Sequence, residues 1–168
     1  RVLQDYAGFG NYDVQDEHRE TAFASEHCRT LGLREAATEI LGRPISYPAA
    51  VSLFLRSISA VYDNLIDKNA LKRFSPRFAQ LLEQYERLMA DHLVLNFGQL
   101  IYRAVQVLEQ DTSVQNAVAG SLRHLLVDEY QDLNPSQEKL IELLVSKGAS
   151  LFVVGDKNQC IYQWRGSD

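Results

Sequence analysis

An α/β protein whose first part is mainly helical is what this sequence predicts, and three observations predict it. From about Asp16 to Ser121, apolar residues recur at three- and four-residue steps. Beyond His124 that period gives way to two short apolar runs, Leu125-Leu126-Val127 and Leu151-Phe152-Val153-Val154. One well-punctuated helix separates the runs, so this stretch reads as strand, crossover helix, parallel strand. The expected organisation is a helical subdomain over 1–121 followed by a partial parallel-sheet piece over 122–168.

The first 16 residues mix Gly8, Gly10, Asn11, aromatics and acids without a period, and read as an irregular lead-in. A helical pattern runs from about Asp16 to Gly42, interrupted near Gly32, with Gly42 and Pro44 as stop signals. Pro48 reads as a first helical residue, and Val51, Phe54, Leu55, Ile58, Val61, Tyr62 and Leu65 mark one face. Ser75 and Pro76 read as a cap and first-turn pair, followed by a stripe of Phe78, Leu81, Leu82, Tyr85, Leu88 and Met89. Phe97, Leu100, Ile101, Ala104, Val105 and Leu108 repeat the design, and a short helix is expected from about Thr112 to Ser121. Residues 16 to 121 thus read as wholly helical. In the crossover helix, Asn134 is the N-cap, Pro135 fits the first turn, Gln137 completes a capping box and Gly148 stops the helix. Apolar strands without alternation imply burial on both sheet faces. Two strands alone are marginal, so this piece is expected to lean on the helices.

Composition bounds the function. A chain of 168 residues with 46% hydrophobic residues can bury a core, which makes disorder a poor reading. Seventeen Lys and Arg against 22 Asp and Glu leave a formal net charge of −5, which is not the signature of a basic nucleic-acid coat. Cys28 and Cys160 form no Cys-x-x-Cys pair, and His18, His27, His92 and His124 lack metal-ligand spacing. No apolar run approaches the roughly 18 residues that cross a bilayer. A cytoplasmic protein in a reducing compartment, with no membrane contact, is the expectation.

Polar residues at the carboxyl ends of parallel strands are where a ligand binds an open α/β sheet. The first such cluster is Asp128-Glu129-Tyr130-Gln131-Asp132, directly after an apolar strand. Adjacent carboxylates there suit a nucleotide hydrolase, one holding Mg²⁺ and the next orienting and deprotonating water. A bare Asp-Glu pair is more often a solvated acidic loop. The second cluster runs from Gly155 through Gln159, Tyr162, Trp164 and Arg165. Gln159 can reach a phosphate oxygen, while two aromatic planes and a guanidinium suit single-stranded bases. A surface turn with Trp164 packed on the sheet is the equal alternative when this cluster is taken alone.

Taken together, order, spacing and strand context carry a resemblance. VDEYQDLNPSQ resembles motif II, the Walker B variant of UvrD/Rep-like superfamily 1 DNA helicases, and VGDKNQCIYQWRGSD resembles their motif III. Tyr85 and the segment Leu95-Asn96-Phe97-Gly98-Gln99-Leu100 resemble the helix before motif II, so the likeness covers roughly residues 75 to 168. Residues 1 to 74 match in kind only, as the helical 1B subdomain that the family inserts into its first RecA-like domain. The chain departs from the family at Lys157 and Asn158, and at Asn96 and Gln99, where acidic residues are common.

The resemblance implies a partial RecA-like (P-loop NTPase) piece from an ATP-dependent 3'-to-5' helicase or translocase of DNA repair, replication or recombination. It implies ATP and Mg²⁺ as cofactors, with Asp128 binding the metal and Glu129 activating water. Gln159 would sense the γ-phosphate, and Tyr162, Trp164 and Arg165 would couple that signal to single-stranded DNA. The implied partners are single-stranded or junction DNA and the remaining helicase chain, with its P-loop region and second RecA-like domain. No Gly-Lys-Ser or Gly-Lys-Thr occurs, so the chain is expected to be an internal segment without turnover of its own. The competing reading is a non-enzymatic helical module that binds protein or DNA and keeps an inherited ATPase remnant.

Overall fold

The computed structural model describes residues 2–156. Nine helices and four short strands occur among them: α1 (Val2–Tyr6), β1 (Asp13–Gln15), α2 (Glu17–Leu31), α3 (Leu33–Leu41), α4 (Tyr47–Asp63), α5 (Lys68–Phe74), α6 (Pro76–Asp91), β2 (Val94–Asn96), α7 (Phe97–Gln110), α8 (Thr112–Ala119), β3 (His124–Val127), α9 (Pro135–Val145) and β4 (Ser150–Val153). The fold is α/β, mostly helical with two parallel strand pairs. The chain folds into two compact units. One holds residues 12–61 and 66–97; the other holds 1–11, 62–65 and 98–168. Helices α7 and α8 therefore belong to the same unit as β3 and β4, although their apolar period resembles that of the earlier helices.

In the unit of residues 12–61 and 66–97, Asp16 caps α2 by accepting from the Arg19 N–H, and Gly32 ends it at φ 66°. A left-handed residue there lets α3 start at once in a new direction, which glycine does without the Cβ clash of other residues. Phe54 and Ile58 of α4 are buried, as are Leu82, Tyr85 and Met89 of α6. Tyr85 sits edge-on to both Phe54 and Phe23 at this core, with ring centroids 5.2 and 6.0 Å away.

Several local readings of the sequence are corrected here. The lead-in contains α1 and β1, and residues 16–121 are interrupted by β2, which pairs in parallel with β1. Three-residue strands are too short to show a period of two. Helix α5 buries no residue and so leaves no apolar stripe. Ser75 precedes α6, yet its side chain makes no capping bond. In α7 the buried positions are Gln99, Tyr102, Val105 and Leu108, while Phe97 is 61% exposed. Of the six expected stripe positions only Val105 and Leu108 are fully buried, and Leu100, Ile101 and Ala104 are half-buried.

The other unit is held by Val105 and Leu108 of α7, Val114 of α8 and Leu143 of α9. Leu65, Val118, Leu140 and Leu144 pack around them. Asn134 caps α9 with the full reciprocal box, accepting from the Gln137 N–H while its own N–H donates to the Gln137 side chain. Strands β3 and β4 are direct parallel neighbours, with Leu125 opposite Leu151 and Leu126 opposite Phe152. Their expected burial on both faces is not met: Leu126 is 77% and Phe152 69% exposed. No described residue covers that apolar surface.

Candidate active site

The carboxyl ends of β3 and β4 come together through backbone hydrogen bonds. The Val154 N–H donates to the Val127 carbonyl at 2.9 Å, and the Tyr130 N–H donates to the Val154 carbonyl at 3.0 Å. Strand β3 delivers Asp128 and Glu129 at its tip, both exposed. A single 3-10 turn, Tyr130–Asp132, then leads the chain to the Asn134 cap.

Glu129 adopts φ 51° and ψ 44°, the left-handed region. For a residue with a Cβ this costs about 1–2 kcal/mol, and such strain persists only where its surroundings hold it. Three hydrogen bonds hold it here, and a fourth holds Gln131, one of its partners. The Glu129 N–H donates to Asp128 Oδ1 at 2.9 Å, and the Asp132 N–H donates to the Glu129 carbonyl at 2.9 Å. Gln131 Nε2 donates to Glu129 Oε2 at 2.6 Å. The Asp156 N–H in turn donates to Gln131 Oε1 at 2.9 Å. One amide thus ties a carboxylate at the tip of β3 to the backbone that leaves β4.

Gly155 makes that approach possible. A Cβ added there would stand 2.5 Å from Gln131 Oε1 and 3.3 Å from the Tyr130 nitrogen. Any other residue would push the two strand tips apart or displace the Gln131 side chain.

Among the sequence-derived site residues, the fold brings Asp128 and Glu129 together at the strand end. Gln159, Tyr162, Trp164 and Arg165 lie outside the described residues. Sequence reasoning assigned nothing to Gln131, because its significance lies in contacts with residues just beyond the ends of two different strands. Its place two residues after Glu129 was the only signal. Among the described residues no group of three or more His, Cys, Asp or Glu could hold a metal. An exposed carboxylate at a strand tip fits a different donor set, that of Mg²⁺ carried largely by water and phosphate oxygens.

The parallel pair, its crossover helix and the carboxylates at its ligand-binding edge define an α/β protein with a partial RecA-like piece. Residues 9–168 match the profile of the UvrD/REP helicase N-terminal domain, and the chain belongs to that family. It is 36% identical over 115 residues to a probable DNA helicase II homolog of Mycoplasma genitalium, covering 67% of this chain and 16% of that protein. It is 40% identical over 111 residues to the ATP-dependent DNA helicase Rep of Escherichia coli, covering 60% and 16%. With the ATP-dependent DNA helicase PcrA of Staphylococcus aureus the identity is 34% over 121 residues, covering 69% and 17%. The chain therefore spans about one sixth of the length of these relatives.

Proposed function

We propose that this chain supplies the Walker B carboxylates and motif III of an ATP-dependent 3'-to-5' DNA helicase, acting within a longer protein in the cytoplasm. The observation that carries the reading is the delivery of Asp128 and Glu129 to the carboxyl end of a parallel pair, where α/β sheets bind ligands. The names of its relatives, ATP-dependent DNA helicases, support the same reaction.

In this reading Asp128 would hold Mg²⁺, which would supply charge neutralisation for the phosphoryl group being transferred. Glu129 orients the attacking water and takes its proton, so it must be ionised when the phosphoryl group is transferred. Its hydrogen bond from Gln131 fixes the direction of that carboxylate. Gln159 follows β4 by a few residues and contacts the γ-phosphate, while Tyr162, Trp164 and Arg165 hold single-stranded DNA by stacking and charge. The helices of the unit of residues 12–61 and 66–97 correspond to the 1B subdomain. The exposed apolar face at Leu126 and Phe152 is covered by the rest of the RecA-like domain, which brings the P-loop. Without a P-loop and a second RecA-like domain, most stabilisation of the transferring phosphoryl group is lacking, so the 168 residues alone turn over no ATP.

The test is ATP hydrolysis by the full-length protein with single-stranded DNA titrated in, wild type beside Glu129→Gln. Stimulated hydrolysis that falls at least about 100-fold in the variant is expected. Equal turnover in both proteins removes Glu129 from the chemistry, and no hydrolysis in the intact protein transfers the assignment to a non-enzymatic binding module.

A further inference from the structure

Gln131 is the one side chain among the described residues that joins Glu129 to the segment after β4. Its amide nitrogen lies 2.6 Å from Glu129 Oε2, and its amide oxygen accepts from the Asp156 N–H at 2.9 Å. The two partners have opposite polarity, a carboxylate and an N–H, so only one orientation of the amide satisfies both. Gly155 leaves the space the side chain occupies, since a Cβ there would overlap Gln131 Oε1. Glu129 itself stands in a strained left-handed conformation at an exposed position, where a bulk-water neighbour would not fix its carboxylate.

We propose that Gln131 is a positioning residue, which sets the direction of the Glu129 carboxylate and makes it depend on where the backbone leaving β4 sits. The inference rests on the reading of Glu129 as the group that activates water. The segment after β4 leads directly into the residues proposed to meet the γ-phosphate and DNA. A displacement of Asp156 therefore pulls on Gln131 Oε1, and the same rigid amide plane turns the donor that faces Glu129. The general base is aligned when the β4 exit is in place and released when it moves. Misplacing a catalytic group by about 1 Å costs on the order of 100-fold in rate.

The experiment uses the full-length protein and measures kcat and KM for ATP, with saturating and with no single-stranded DNA. Gln131→Ala is expected to lower the DNA-stimulated kcat by about 10- to 100-fold while KM stays within about twofold. Gln131→Glu keeps an acceptor for the Asp156 N–H but has no donor for Glu129, so it is expected to lose DNA-stimulated kcat as Gln131→Ala does. A merely structural role, served by the bond to Asp156, leaves Gln131→Glu near wild type.

Gly155→Ala is an independent route to the same contact. It is expected to reproduce the loss seen in Gln131→Ala, and the double variant to be no worse than Gln131→Ala alone. Thermal unfolding of each variant identifies losses that come from folding, and the turnover of Gln131→Glu decides if Gln131→Ala is unstable. A kcat for Gln131→Ala within twofold of wild type overturns the proposal, as does wild-type turnover in Gln131→Glu or fully additive losses in the double variant. Glu129→Gln run alongside separates the two levels: if it keeps wild-type turnover, the reading of Glu129 fails, and if it collapses while Gln131→Ala is unaffected, only the role of Gln131 fails.

Discussion

Asn134 Nδ2 donates to Asp63 Oδ1 at 2.9 Å, joining residues 71 apart in sequence, while the same side chain caps α9 through Oδ1. The capping box fixes where α9 starts, and the bond to Asp63 fixes the cap against the end of α4. Substitution by alanine removes both, at a cost of about 1–3 kcal/mol. Asn134→Asp keeps the cap acceptor but sets a carboxylate against Asp63. Urea unfolding at pH 7 is expected to show both variants destabilised, with Asn134→Asp recovering at pH 4 and Asn134→Ala not. Equal behaviour of the two at both pH values would show that Asp63 contributes nothing.

Burial pushes the Glu20 carboxyl above its ordinary pKa, against the opposing effect of the bond that Asn96 Nδ2 donates to Glu20 Oε1 at 2.5 Å. The folded state therefore keeps the Glu20 proton to higher pH than the unfolded chain does. Stability from this group is full below the unfolded carboxyl value, about pH 4, and is lost as pH rises through the raised folded value. Glu20→Gln retains an oxygen for Asn96 and carries no charge to bury. Its Tm at pH 7 is expected to exceed that of wild type by about 1–3 °C, with a flatter dependence between pH 4 and 7. A lower Tm at pH 7 would show that the charge is itself stabilising.

The Tyr85 hydroxyl is fully buried and has no hydrogen-bond partner among the described residues. The ring packs edge-on to Phe23 and Phe54. Removing only the hydroxyl is expected to leave stability unchanged or raise it by up to about 1 kcal/mol, because an unpaired buried donor is costly. Removing the ring in Tyr85→Ala is expected to cost about 3–5 kcal/mol. Guanidinium unfolding of the two variants separates the contributions, and a loss above about 1 kcal/mol in Tyr85→Phe would reveal a partner for the hydroxyl.

Leu126 and Phe152 stand opposite one another on the parallel pair, both largely exposed. An uncovered apolar patch on a strand pair promotes association. The 168-residue chain is expected to scatter light and bind a hydrophobic dye, and Leu126→Ser with Phe152→Ser to lower both signals at least about threefold. Signals unchanged by the double substitution would place the sticky surface elsewhere.

Much of the fold was legible because its cues are local. The Asn134-Pro135-Gln137 signature defines the start of α9 from four consecutive residues, and the flanking apolar runs define β3 and β4. The stripe from Val51 to Tyr62 marks α4 because a helix buried along one face must repeat its apolar residues. Strands β1 and β2 were not legible, since three residues carry no period and their pairing joins Asp13 with Val94 across most of a unit. The rotation of α7 was equally hidden: Gln99 is buried and Phe97 exposed, against their own hydropathy.

The sequence by itself determined the helical and parallel-sheet character, the family-like motif at Asp128 and Glu129, and the cap that sets α9. Each follows from residues within one turn or one strand of each other, where sterics, capping and periodicity act. Only the tertiary structure decided that Gln131 bridges Glu129 and the Asp156 N–H, that Gly155 clears its path, and that Asn134 reaches Asp63. Those relationships join distant parts of the chain through directional bonds of about 3 Å, and no local pattern encodes which distant groups will meet.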